Sequence, residues 1–180
     1  MLLIVTVRVR VPSSVSDVVE SVSVGAVDVE VIHTPGHSPG GVTFTIEDEA
    51  LVTGDTLFHE SVGRVELGIE ADLEDTNVEE NAATLYESLE RLRAQPGNPL
   101  VLPSHDPGSP DPPVALRMDE VEARNEGLQR ERDAFIAAFA DVPDQPPNFE
   151  RIKRVNTGAE IVPDDERESL EQGPNNCAAE

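Results

Sequence analysis

Between residues 22 and 106 the chain repeats one rhythm: a short β-branched, apolar run, then a polar or Pro/Gly-rich loop carrying a histidine or an aspartate. In the run Val27 to Ile32, Val27, Val29 and Val31 alternate with Asp28 and Glu30, which predicts a strand with one buried and one wet face. His33-Thr34-Pro35-Gly36-His37-Ser38-Pro39-Gly40-Gly41 follows, too rich in Pro and Gly for either regular structure. Val42 to Ile46 returns to strand, Glu47 to Glu49 turns, and Ala50 to Thr53 is a further strand ending in Gly54-Asp55-Thr56. This order excludes a helical bundle and predicts a sheet whose strand ends carry the chemistry.

The flanking segments complete an α/β chain. Leu2 to Val11 and Ser21 to Val24 read as strands, the second joined to Val27–Ile32 across Gly25. Asn77 to Arg93 has helical spacing, with Ala82, Leu85, Leu89 and Leu92 on one face and glutamates opposite, stopped by Pro96 and Gly97. Leu100 to Leu102 is a short buried strand leading into Pro103-Ser104-His105-Asp106, and Pro107 to Pro113 is a loop. Asp119 to Phe139 is predicted as one long amphipathic helix, Ile152 to Val155 as one short element, and residues from Pro163 onward as disordered. No internal repeat is present.

Charge narrows the setting. The 180 residues hold 36 Asp and Glu against 13 Lys and Arg, a formal net charge of -23, and Lys153 is the sole lysine. Such self-repulsion loosens a compact state in dilute buffer, whereas molar salt screens charges beyond about 3 Å. The lysine-poor, carboxylate-rich pattern favours a salt-adapted protein of a halophile's cytoplasm, haloarchaeal in type, over a merely acidic mesophile protein. The same charge disfavours nucleic acid and anionic membranes as partners. Met1 to Val7 is apolar but too short to span a bilayer, and no secretory pattern accompanies it. The single cysteine, Cys177, excludes an internal disulfide and is read as inert tail.

Three residues are candidate metal ligands. His37 follows a strand in its Gly/Pro loop, Asp55 follows a strand and Gly54, and His105 follows Leu100–Leu102 and Pro103. Each closes a β-element, so all three can converge on one sheet edge, as a site assembled by the fold requires. Their spacing is too wide for a local zinc-finger loop. Singly, a loop histidine is more often a surface residue, and a Gly-Asp-Thr turn is common because Asp bonds its own following backbone.

Together, His33-Thr-Pro-Gly-His37-Ser-Pro-Gly-Gly41, Leu51-Val-Thr-Gly-Asp55-Thr-Leu-Phe58 and Val101-Leu-Pro-Ser-His105 resemble the metallo-β-lactamase superfamily, nearest its glyoxalase II and persulfide dioxygenase branch. Val62-Gly63-Arg64 and the stretch Pro146 to Gly158 resemble the dioxygenase side. The resemblance runs from about Val22 to Val162. It implies part of a four-layer αββα sandwich, a mixed sheet with flanking helices whose first half is missing. The implied domains are 1–20 as a poorly matching N-terminal segment, 21–162 as the truncated domain, and 163–180 as an acidic disordered tail.

By that resemblance His37 is a ligand of the first metal. Asp55 bridges two metals in the hydrolases or holds a lone iron in the dioxygenases, and His105 belongs to the second metal. The implied cofactor is Zn2+ or Fe2+, one or two ions. Arg64 lines the substrate pocket, its planar cation suited to a glutathione carboxylate. His33 takes a structural role, and His59, matching no ligand position, is expected at the surface or the core rim. The family's earlier His-x-His-x-Asp-His string is absent, and with it go further ligands and the acid that orients the attacking water, so no catalytic acid or base is assigned. The expected activity is hydrolysis of a thioester or oxidation of a persulfide of a glutathione-like thiol, at low or no turnover. The alternative is an inactive binding or assembly module, a homo-oligomer or the partner of a complementing N-terminal half.

Overall fold

The computed structural model describes residues 20–66, 78–104, 113–141, 148–156, 160–171 and 178–179. The strand expected at Leu2–Val11 and nearly all of the Pro107–Pro113 loop lie outside them. Six strands form one mixed sheet in the order β1-β2-β3-β4-β6-β7: β1 (Glu20–Val24), β2 (Val27–His33), β3 (Val42–Ile46), β4 (Ala50–Gly54), β6 (Leu100–Pro103) and β7 (Leu116–Arg117). A two-stranded ribbon pairs β5 (Val62–Gly63) with β8 (Ala178–Ala179). Helices α1 (Val78–Arg93), α2 (Met118–Arg124), α3 (Arg132–Phe139), α4 (Phe149–Asn156) and α5 (Asp164–Glu171) complete the order. Among the described residues no helix is long and apolar enough to cross a membrane.

The strand directions position the site. β1 to β4 pair antiparallel in sequence, so β2 and β4 run the same way, and β6 pairs parallel to β4. A parallel pair needs a crossover, and α1 lies in it. The carboxyl ends of β2, β4 and β6 therefore share one edge of the sheet, the edge at which open α/β sheets bind ligands.

The core is aliphatic. α1 buries Ala82, Leu85, Leu89 and Leu92, as its spacing predicts, among Leu51 of β4, Val101 of β6, Leu57, Val62, Val65 and Phe135. Phe135 meets Tyr86 edge-on at 5.4 Å and Phe139 at 4.4 Å, joining α3 to α1. Arg93 at the end of α1 bonds Glu122 of α2 at 2.8 Å.

Four expectations are corrected. The single helix over Asp119–Phe139 is two helices, broken at Asn125, whose buried side chain bonds out of the helix. Its Nδ2 donates to the carbonyls of Phe58 and Ser61 at 3.2 and 2.8 Å, and its Oδ1 accepts from the backbone of Gly127 and Leu128. In β2 only Val31 is fully buried; Val27, like Val22 and Val24 of β1, is exposed. Where an acidic tail was expected, Asp164–Glu171 is helical, and Arg151 of α4 holds Glu160 and Glu166 at 3.0 and 2.7 Å. His59 is not at the surface or rim: it is 1% exposed and its Nε2 donates to the Val101 carbonyl of β6 at 3.1 Å.

Candidate metal centre

The loop after β2 is closed on itself before it presents any ligand. Thr34 N–H donates to the Gly41 carbonyl at 2.8 Å, and His33 Nε2 donates to the Pro39 carbonyl at 2.9 Å, so His33 ties the loop's ends. Ser88 of α1 donates to the Pro35 carbonyl at 2.7 Å and seats the loop on the helix. Beneath it, the buried hydroxyls of Thr34, Thr43 and Thr56 join at 3.1 and 3.3 Å, linking this loop to the turn that carries Asp55. That turn depends on Gly54, whose φ of 55° lies in the left-handed region.

These two loops bring His37 and Asp55 face to face. His37 Nδ1 lies 2.8 Å from the Arg64 carbonyl. A carbonyl only accepts, so Nδ1 carries the proton and Nε2 keeps its lone pair in the neutral ring. Nε2 stands 3.7 Å from Asp55 Oδ2, and both side chains are partly exposed, at 16% and 29%. Gly63 makes the approach possible: a Cβ there would fall 2.9 Å from the His37 Cβ and closer still to the Asp55 carbonyl. On the far side of the carboxylate, Ser104 Oγ donates to Asp55 Oδ1. Ser104, at the end of β6, was not singled out on sequence; its adjacency to His105 was the available signal.

Of the residues expected at the site, His37 and Asp55 are together. His105 lies outside the described residues, though Ser104 before it bonds both the Asp55 side chain and, through its N–H, the Gly54 carbonyl at 3.1 Å. Arg64 reaches the site through its carbonyl. Its side chain is 7% exposed and paired with the buried Glu66, while Nη2 is buried without a hydrogen-bond partner among the described residues.

The pair fits part of a divalent-metal site. One imidazole and one carboxylate are donors that zinc and ferrous iron accept. Two donors each about 2.0–2.2 Å from one cation stand about 3–4 Å apart, and the His37–Asp55 separation of 3.7 Å lies in that range. The Nδ1–H to carbonyl bond is the usual outer support of a ligating histidine. Among the described residues no group of three or more His, Cys, Asp and Glu is placed to hold a metal, so this pair is a partial set.

Comparison with known proteins gives the chain's family. The Metallo-beta-lactamase superfamily pattern matches residues 4–105, more than half of the chain, taking in most of the segment 1–20 set apart on sequence. The hydroxyacylglutathione hydrolase of Rhodospirillum rubrum is 36% identical over 135 residues, covering 72% of this chain and 47% of that protein. That of Xanthomonas oryzae pv. oryzae is 32% identical over 128 residues, covering 70% and 45%. The chain thus spans about half the length of the curated relatives it matches. A metallo-beta-lactamase of Staphylococcus aureus superposes with a TM-score of 0.64 at 25% identity, over 76% of this chain and 42% of that one. ETHE1 from Myxococcus xanthus gives 0.60 at 26% identity, over 78% and 57%. With the pattern matched over more than half of the chain and the mixed sheet superposing on solved members, the chain belongs to the metallo-beta-lactamase superfamily.

Proposed function

We propose that this chain carries part of the metal site of a hydrolase acting on thioesters of a small, glutathione-like thiol. The observation that carries the reading is the His37–Asp55 pair at 3.7 Å, with the imidazole's second nitrogen held by the Arg64 carbonyl. The relatives named hydroxyacylglutathione hydrolase support the substrate class. His37 and Asp55, joined by His105, are the proposed ligands of Zn2+ or Fe2+, one or two ions. When bound, such an ion supplies a Lewis acid for a carbonyl group and lowers the pKa of a water.

The chain's own contribution is placement. The Arg64 carbonyl fixes the tautomer of His37, and Gly63 keeps imidazole and carboxylate in reach of each other. Arg64, the expected partner of a substrate carboxylate, contributes here through that carbonyl, its guanidinium being buried against Glu66. Persulfide oxidation is the second reading, favoured by Val62-Gly63-Arg64 and by the structural likeness to ETHE1. Turnover by these 180 residues alone is expected to be low, because the His-x-His-x-Asp-His string is absent from them. The exposed Val22 and Val24 of β1 and Val27 of β2 favour the further reading of a module that docks on another chain or copy. The charge balance supports the reading of a protein adapted to a salt-rich cytoplasm.

The test is reconstitution of the chain with zinc or ferrous iron in molar KCl, followed by metal counting and assays on a glutathione thioester and a persulfide. Metal retained by the wild type and lost in His37→Ala, with thioester turnover above the metal-free background, is expected. Iron near one per chain with persulfide consumption would transfer the function to oxidation. Equal metal content in wild type and His37→Ala would remove the reading.

A further inference from the structure

We infer that Ser104 is a positioning residue: its hydroxyl holds Oδ1 of Asp55, so that the carboxylate presents Oδ2 to a cation on the side of His37. The inference rests on the metal-site reading above and deepens it. It starts from a register shift. Along the parallel pair β4–β6, Ala50, Leu51 and Val52 stand level with Leu100, Val101 and Leu102, but Gly54 stands level with Pro103. One residue on β4 is thereby passed over, and Ser104, the residue after Pro103, comes beside the turn that carries Asp55. The Ser104 N–H then bonds the Gly54 carbonyl at 3.1 Å, fixing its backbone, and its Oγ donates to Asp55 Oδ1.

The two carboxylate oxygens therefore differ. Oδ1 meets a hydroxyl from β6, while Oδ2 faces the Nε2 lone pair of His37, whose ring is pinned from behind by the Arg64 carbonyl. A hydroxyl bonded to an ionised carboxylate is a charge-assisted bond, stronger and more directional than a neutral one. It removes rotation of the carboxylate about its Cβ–Cγ bond, which would otherwise be lost only on binding. Ser104 thus acts on the cation through Asp55. Outer partners of this kind typically change metal affinity by about 10–100-fold when removed.

Titration of the full 180-residue chain with Co2+ in molar KCl, following the d–d absorbance, tests this alongside thermal unfolding of the metal-free forms. Ser104→Ala is expected to bind Co2+ about 10–100-fold more weakly, with an altered band shape and an unchanged metal-free melting temperature, and Ser104→Thr is expected to restore most of the affinity. Wild-type affinity and spectrum in Ser104→Ala would overturn the inference while leaving the metal site standing. A loss of affinity matched by lost metal-free stability, and not restored by Thr, would overturn it in favour of packing. Co2+ binding that His37→Ala leaves untouched would overturn both the inference and the reading beneath it.

Discussion

At Gly63 a single methyl group would separate the two halves of the site. The missing Cβ leaves room for the His37 side chain on one side and the Asp55 backbone on the other. Gly63→Ala must therefore displace one of the two loops, an overpacking that costs about 1–3 kcal/mol. Urea denaturation of the metal-free chain should show that loss, and metal affinity should fall with it. His37 and Asp55 were legible in the sequence only as a set, because each closes a β-element with Gly or Pro beside it, a pattern that is common for one residue alone. Ser104 was not, since a serine near a strand end is ordinary until the strand beside it is known. His59 was misjudged for the same reason: a lone histidine says nothing about burial, and its partner, the Val101 carbonyl, is 42 residues away.

At the scale of elements, the break between α2 and α3 is held by one side chain. Asn125 uses its amide fully, donating to Phe58 and Ser61 and accepting from Gly127 and Leu128. Asn125→Ala removes these side-chain bonds, while the Ser61 carbonyl and the Leu128 N–H keep backbone partners, and should cost about 1–3 kcal/mol. The loop from Phe58 to Ser61 should gain amide exchange first, which hydrogen-exchange mass spectrometry resolves. By contrast Leu85→Ala in α1 opens a cavity in the core and should cost about 2–5 kcal/mol without a local signature in that loop. The strands β2, β3, β4 and β6 and helix α1 were readable from periodicity alone. The short pairs β5, β7 and β8 were not, because two residues carry no period, and the helix break was not because Val121, Leu128 and Phe135 keep a seven-residue step across the polar Asn125.

Across the whole molecule, charge and topology act separately. The net charge of -23 opposes compaction without affecting which strands pair. Stability should rise steeply as KCl increases from 0.1 to 2 M, over which the screening length falls from about 10 Å to below about 3 Å. Equilibrium unfolding at matched osmolality with sucrose separates screening from solute exclusion, and an equal gain in sucrose would refute the charge argument. Topology decides the site: only because β2, β4 and β6 share a direction do their terminal loops meet. A zinc-binding cycle over His37→Ala, Asp55→Ala and the double variant, by isothermal titration in molar KCl, reads that convergence directly. If the imidazole and carboxylate hold one cation, each single substitution removes the tight binding and the double removes nothing more. Zinc affinity that survives either substitution, or losses that simply add, would contradict a shared cation.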